Sequence, residues 1–262
     1  MSMLHRVGRK AVCIRDHNLI DYFPKREMFI DVFCGSAAVS LAYNATYTLI
    51  NDLDSNVYNL YCVNRDHHEH FISLLNIMPL ANQILVDFKK KKYRNKIEQA
   101  AMFLIASNCS YLGQMGNFKR GFTNEKELSI KYAGDFYEST KYWQIENCSF
   151  EVLFDKIGWR QKEKDKARTF AYFDPPYLGT KNNYAKDCQF KEKDTSKLFE
   201  VAVNSGIDFA ISEFAHPVVL ELAEFYGLNV IYLGERRNIN NRCIEILVTN
   251  YTSFKDSQLK MF

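Results

Sequence analysis

The chain has 262 residues, enough for one large domain or a domain with an insertion to bury a sizeable core. An apolar fraction of 47% with 25% charged residues is that of a soluble globular protein, and no apolar run reaches the ~20 residues that a membrane helix needs. A net charge of +3 says little about partners, and seven scattered cysteines without a Cys-x-x-Cys pair argue against a zinc site or a disulfide framework and for reduced thiols in a cytoplasmic protein.

The N-terminal "MSMLHRVGRKAV" lacks the apolar segment of a signal peptide. "MFIDVFC" (28–34) reads as a strand ending at Gly35, and the small residues of "SAAVSLAYN" (36–44) as a helix. "YTLINDLD" (47–54) is a second strand ending in acids, and "SNVYNLYCVN" (55–64) a second helix. This βαβα order predicts a parallel sheet. From about 64 to 145 the pattern is helical or irregular, with a buried helix over "IEQAAMFLIAS" (97–107) and a long polar loop over 108–127. Strands return at "TFAYFD" (169–174), "DFAISEF" (208–214), "NVIYLGE" (229–235) and "CIEILVTNY" (243–251). Helices at 193–206 and 216–227 separate three of them, and the last two strands form a closing hairpin. The expectation is a mainly parallel α/β sheet interrupted by a largely helical insertion, with residues 1–63 and 146–262 in one domain and 64–145 in the insertion.

Ligands in such sheets bind outside the carboxyl ends of the strands. Three segments lie there. "DVFCGSAAV" (31–39) is a strand, a glycine turn and a helix N-terminus, which lets backbone N–H groups approach a ligand. No Gly-Lys-Ser/Thr follows, so it is not a phosphate loop. Asp52 in "INDLD" lies about 20 residues beyond the turn, the spacing of an acid that binds ribose hydroxyls. It could equally cap the next helix, although Asp54 suits that role better. "DPPY" (Asp174, Pro175, Pro176, Tyr177) closes an apolar strand with a rigid tip. Its carboxylate and a proline-fixed carbonyl can both accept from one –NH₂ group, and its ring can stack on the flat base that carries that group.

"DVFCGSAAVSL", "NDLDSNVYNLY" and "YFDPPY", in that order, resemble the Dam-type DNA adenine methyltransferases of the D12 class. The resemblance extends from about residue 6 to 251, with segments in the order of the alpha group. It implies a Rossmann-like, S-adenosylmethionine-dependent methyltransferase domain with a target-recognition insertion, acting on double-stranded DNA. It also leaves room for a cognate restriction endonuclease as partner. The reaction implied is methyl transfer to the exocyclic N6 of a flipped adenine, with Asp174, Pro175, Pro176 and Tyr177 as catalytic residues. Lys10 in "VGRKAV", Asp31, Phe33, Cys34, Gly35, Ser36, Asp52, Asp174 and Phe150 would hold the cofactor. "SYLGQMGNFKRGF" is similar to the family's DNA-contacting loop. There Asn108, Tyr111, Asn117, Lys119, Arg120 and Asn124 are candidate DNA contacts. Members that read GATC carry an arginine where this chain has Gly116, which predicts a different or relaxed target.

Two further departures from the family pattern stand out. Ala37 occupies a region where a further glycine is usual, which is tolerable if the backbone there need not adopt positive φ. Ser212-Glu213 replaces Ser-Asn. "KKKKYRNK" (89–96) has six basic residues in eight, either a solvated helix face or a phosphate contact. "HHEH" (67–70) reads as a surface helix start and not as a metal site. The alternatives to a DNA enzyme are an RNA adenine methyltransferase and a non-catalytic, methyltransferase-like DNA-binding subunit.

Overall fold

The structure is a computed structural model that describes residues 2–4, 10–111, 115–118, 124–157, 163–178, 190–237 and 242–253. The chain runs α1 (Ala11–Asp16), β1 (Met28–Asp31), α2 (Ala38–Tyr43), β2 (Tyr47–Asn51) and α3 (Ser55–Asp66). Four helices follow: α4 (His68–Ile77), α5 (Asn82–Lys89), α6 (Lys96–Cys109) and α7 (Glu125–Thr140). Next come β3 (Gln144–Glu146), α8 (Phe150–Lys156), α9 (Glu163–Lys166) and β4 (Thr169–Phe173). The chain then forms α10 (Glu192–Asn204), β5 (Asp208–Phe214), α11 (Pro217–Phe225), β6 (Asn229–Arg237) and β7 (Arg242–Thr249).

Seven strands form one sheet in the order β3-β2-β1-β4-β5-β7-β6. Strands β3, β2, β1, β4 and β5 pair in parallel, and β7 inserts antiparallel between β5 and β6. The predicted closing hairpin is therefore present, with β7 as its inner strand.

Strand β4 shows why the sheet is covered on both sides. All five of its residues are buried. Ala171 and Phe173 pack with Ile30, Phe209, Leu198 and Phe154 on one face, while Phe170 and Tyr172 pack with Phe29, Leu19 and Leu247 on the other. Alternation along the strand thus feeds two cores, as a doubly covered parallel sheet requires. The third core joins α3 to α7. It contains Tyr61, Phe71, Phe103, Leu104 and Phe136, and also Cys34 and Ile50 from the sheet.

The chain leaves β1 toward β2 and β3 on one side, and β4 continues toward β5 on the other. The carboxyl ends of β1 and β4 therefore flank the point where the strand order reverses, which is where such sheets open a crevice for a ligand. Asp31 ends β1, and Asp174 is the first residue after β4.

Candidate active site

The turn after β1 is held from several directions. Cys34 N–H donates to the Asn51 carbonyl at 2.8 Å, and the Tyr61 hydroxyl donates to the Gly35 carbonyl at 2.7 Å. The Ser36 carbonyl accepts from the Ser2 hydroxyl. Gly35 has φ +47°, a left-handed conformation natural to glycine. Ala37 also sits in that region, at φ 53° and fully buried. The condition under which its replacement of glycine would be harmless is therefore not met. The turn carries backbone strain of about 1–2 kcal/mol at this residue.

Asp52 meets the turn from β2. Its Oδ2 accepts the Gly35 N–H at 2.9 Å and its Oδ1 the Asp54 N–H at 2.9 Å. Asp54 caps α3, accepting from Asn56 N–H at 2.9 Å. Asn51, which sequence reasoning passed over, clasps the neighbouring loop. Its Nδ2 donates to the Val32 carbonyl at 2.9 Å and to the Cys148 carbonyl at 3.0 Å, and its Oδ1 accepts the Cys148 N–H at 3.1 Å. An asparagine at a strand end carries no sequence signal that separates this role from a turn.

Phe33 and Phe150 lie beside the turn with ring centroids 6.0 Å apart. Phe190 completes an aromatic trio, 5.9 Å from Phe33 and 6.1 Å from Phe150. Phe190 was not predicted, because it precedes α10 and belongs to no recognisable motif.

Acidic groups converge on the crevice. Asp31 is 2% exposed, and Ser40 donates to it at 2.5 Å. Burial raises its carboxyl to about 7 against the pull of Ser40, and the charges of Asp174 and Asp52 push it in the same direction as burial. Glu213 is fully buried, with Oε1 accepting the Leu178 N–H at 2.9 Å and Oε2 the Phe214 N–H at 2.8 Å. It ties β5 to the end of the Asp174–Tyr177 segment, in place of the expected asparagine. Burial raises it too, to about 7, despite those two backbone donors.

Lys10, expected to serve the cofactor, lies against Asp174. The Lys10 ammonium is 3% exposed and lies 3.1 Å from Asp174 Oδ1 and 2.5 Å from Glu245 Oε1. Burial disfavours its charge, but the two carboxylates more than offset that and raise its pKa above the usual lysine value. The same ammonium lies over the Tyr177 ring, 4.5 Å from the centroid. The Tyr177 hydroxyl donates to Glu245 at 2.7 Å, and its ring meets Phe214 edge-on at 4.5 Å. Lys10 thus joins Asp174, Glu245 and Tyr177 in one cluster. Glu245 was missed by sequence reasoning, although a lone acid inside the apolar run "CIEILVTNY" signals a buried, partnered charge.

The candidate DNA contacts separate into three groups. Asn108 is fully buried in α6 and donates to the Met3 carbonyl at 2.9 Å and the Ser129 hydroxyl at 3.0 Å. Its assignment to DNA is corrected, since a core amide spent on two internal acceptors cannot reach a base. Asn124 caps α7, accepting from Glu127 N–H at 3.1 Å and donating to the Glu127 carboxylate at 2.8 Å. Its side chain serves its own helix. Tyr111 and Asn117 sit together, Tyr111 N–H donating to the Asn117 carbonyl at 2.9 Å. Both side chains are exposed, Tyr111 by 65%. Lys119 and Arg120 lie outside the described residues, as do residues 7–9 of "VGRKAV".

Of the basic run, only Lys89 belongs to α5, and Lys90–Lys92 form an exposed turn before α6. Residues 67–70 begin α4, with His68 stacked on Tyr137 at 4.1 Å. Among the described residues, no group of three or more His, Cys, Asp or Glu side chains is placed to hold a metal ion, and no helix is long and apolar enough to cross a membrane.

A family model described as D12 class N6 adenine-specific DNA methyltransferase matches residues 16–239. The type II methyltransferase M1.LlaDCHI of Lactococcus lactis subsp. cremoris is 21% identical over 256 residues, covering 87% of this chain and 87% of the relative. The retron Ec67 DNA adenine methylase of Escherichia coli is 24% identical over 250 residues, covering 88% of this chain and 80% of the relative. Among solved structures, the N-terminal domain of human METTL16 in complex with SAH aligns with a TM-score of 0.39 and 10% identity, over 90% of this chain and 67% of that one. Matched over most of its length, the chain belongs to the D12 class of N6 adenine-specific DNA methyltransferases, enzymes that move a methyl group from S-adenosylmethionine to adenine in DNA.

Proposed function

We propose that Asp174 and the Pro175 carbonyl receive the exocyclic amine of an adenine flipped out of the duplex, with Tyr177 against its ring. The observation that carries this reading is the position of Asp174. It stands at the carboxyl end of β4, beside the end of β1 at the reversal of strand order, with its carboxylate held by a buried lysine.

The amine is a poor nucleophile because its lone pair is delocalised into the base. Accepting both of its N–H bonds localises that pair on nitrogen and aims it at the cofactor crevice. Positive charge develops on the nitrogen as the new bond forms, and Asp174 stabilises it from a preorganised position. Extrusion of the base costs a few kcal/mol. Stacking on Tyr177 returns ~1–3 kcal/mol of that. The Lys10 ammonium lies over one face of this ring, which restricts the face that a base can use.

The crevice suits the cofactor. S-adenosylmethionine carries a sulfonium and an ammonium, and Asp52 and Asp174, whose charges reach Asp31 across the crevice, supply opposite charge there. Asp52 is placed for ribose hydroxyls, the backbone of Phe33 to Ser36 for close approach, and Phe150 with Phe33 and Phe190 for an adenine ring. When bound, S-adenosylmethionine supplies a methyl group already on a good leaving group, so catalysis by this chain reduces to positioning and electrostatics.

The insertion 64–145 would carry target recognition, with Tyr111 and Asn117 as its exposed contacts. Action on cellular or phage DNA places the protein in the cytoplasm of a bacterial or phage-infected cell. A restriction endonuclease that cuts the same unmodified site is the partner such modification would oppose.

The test is mass spectrometry of nucleosides from unmethylated duplex DNA incubated with the protein and S-adenosylmethionine. N6-methyladenine is expected with the wild type and is expected to vanish with Asp174→Ala. That side chain lies at a strand tip, so its loss leaves the core intact. Turnover by Asp174→Ala above a few per cent of wild type would remove Asp174 from the mechanism.

A further inference from the structure

Glu245 is a charged residue in the middle of a sheet. It pairs with Phe214 on one side and Gly234 on the other, and its side chain is 3% exposed. Because β7 runs antiparallel, its first residues lie level with the carboxyl end of β5. Burying a carboxylate there is costly unless donors compensate it. Glu245 Oε1 accepts from the Lys10 ammonium at 2.5 Å, the Tyr177 hydroxyl at 2.7 Å and the Ser212 hydroxyl at 3.3 Å, and Oε2 from the Cys13 thiol at 3.2 Å.

Two of those donors belong to the reaction site. Lys10 also touches Asp174 at 3.1 Å, so one ammonium is shared between two carboxylates. Were Glu245 neutral, the full attraction of that ammonium would fall on Asp174 and compete with the target amine for the same oxygens. Two carboxylates around one cation also leave the cluster net negative, which favours the positive charge that develops on the amine nitrogen. The hydroxyl bond from Tyr177 holds the tilt of a ring that also meets Phe214 edge-on and lies under the Lys10 ammonium.

We infer that Glu245 is a positioning residue for methyl transfer, holding Lys10 and the Tyr177 hydroxyl so that Asp174 and the tyrosine ring are set to receive the target base. The inference rests on the roles proposed above for Asp174 and Tyr177.

The experiment is steady-state kinetics of the full chain on duplex DNA with S-adenosylmethionine, across a pH series, for the wild type, Glu245→Gln and Glu245→Asp. Glutamine keeps the size and an acceptor oxygen but removes the charge facing Lys10. It is expected to lower kcat by roughly tenfold to a hundredfold, the scale of a small misplacement at the reacting centre, with KM for both substrates little changed. The alkaline limb of its kcat profile should move to lower pH, because Lys10 then gives up its proton more readily. A role limited to folding would reduce the amount of active enzyme without moving that limb. Glu245→Asp keeps the charge but withdraws it by one methylene, and should lose kcat with the limb in place. Wild-type kcat and an unmoved profile in Glu245→Gln would overturn the inference. If that variant does not fold, wild-type kcat in Glu245→Asp overturns it instead. A wild-type chain that forms no N6-methyladenine would overturn the functional reading itself and the inference with it.

Discussion

Asp52 accepts the backbone N–H of Gly35 at 2.9 Å, so the acid after β2 and the turn after β1 are one unit and not two neighbouring motifs. The acid expected to bind ribose also sets the shape of the turn that the cofactor must approach. A carboxylate oxygen can accept more than one bond, so the two functions are compatible. Asp52→Asn replaces one acceptor oxygen with a donor. It can no longer serve Gly35 N–H and Asp54 N–H with both atoms. Calorimetry should show the affinity for S-adenosylmethionine falling by about tenfold or more, the scale of one lost charge-assisted bond plus a loosened turn. An unchanged Kd would show that Asp52 faces the turn alone.

Ala37 provides a test that involves no chemistry. It is fully buried at φ 53°, where its Cβ is strained. Ala37→Gly removes ~1–2 kcal/mol of strain and loses part of that gain to the greater freedom of glycine in the unfolded chain. The net expectation is a Tm higher by about 1–3 °C for a domain of this size. A fall in Tm would mean that the methyl group contributes more packing than the backbone loses.

The elements that sequence reasoning located share one physical property. β1, β4 and β5 are buried on both faces, so they appear as short continuous apolar runs closed by glycine, proline or an acid. β3 was missed because Gln144–Glu146 is three residues long, and its first residue is exposed. The candidate site residues singled out in the sequence, Gly35, Asp52 and Asp174, stand at strand ends where a turn residue or an acid interrupts the pattern. The contacts that tie them together were not legible. Lys10 meets Glu245 and Asp174, and Leu178 N–H meets Glu213, only once the sheet has ordered β4, β5 and β7 side by side. Asn108 misled for the opposite reason. A polar residue at the end of an apolar helix resembles the start of a binding loop, but α6 continues through it into the core.

Stability should depend on pH through Asp31. Burial raises its carboxyl to about 7, whereas in the unfolded chain it titrates near the ordinary value of about 4. Between those values the folded state binds more protons than the unfolded state, so stability falls as pH rises through this window. The contribution is fully retained below the unfolded value and lost above the folded one. Glu213, raised to about 7 by its own burial, adds a second slope of the same sign. Asp31→Asn removes the first slope while leaving a partner for Ser40. Thermal melts should show this variant matching the wild type at about pH 4 and exceeding it at about pH 8. Equal Tm values at the alkaline end would place Asp31 in a more polar setting than its 2% exposure indicates.

Base-edge contacts carry sequence information, and phosphate contacts position the protein without it. Tyr111 and Asn117 are exposed and joined by a backbone hydrogen bond, and Arg120 follows closely in the chain. Gly116, also exposed, stands where the family resemblance places the arginine of GATC-reading members. A glycine there offers no bidentate donor to guanine, a contact worth about 1–3 kcal/mol of discrimination. Methylation is therefore expected at a short adenine-containing site that is not strictly GATC. Arg120→Ala and Asn117→Ala should change which sites are modified. Neutralising Lys89 to Lys92, which are exposed at the end of α5 and in the turn after it, should weaken binding about equally for all sequences and flatten its salt dependence. Single-molecule sequencing of DNA methylated by the wild type and these variants reads both effects. Complete modification confined to GATC would show that a residue other than one at position 116 supplies the guanine contact.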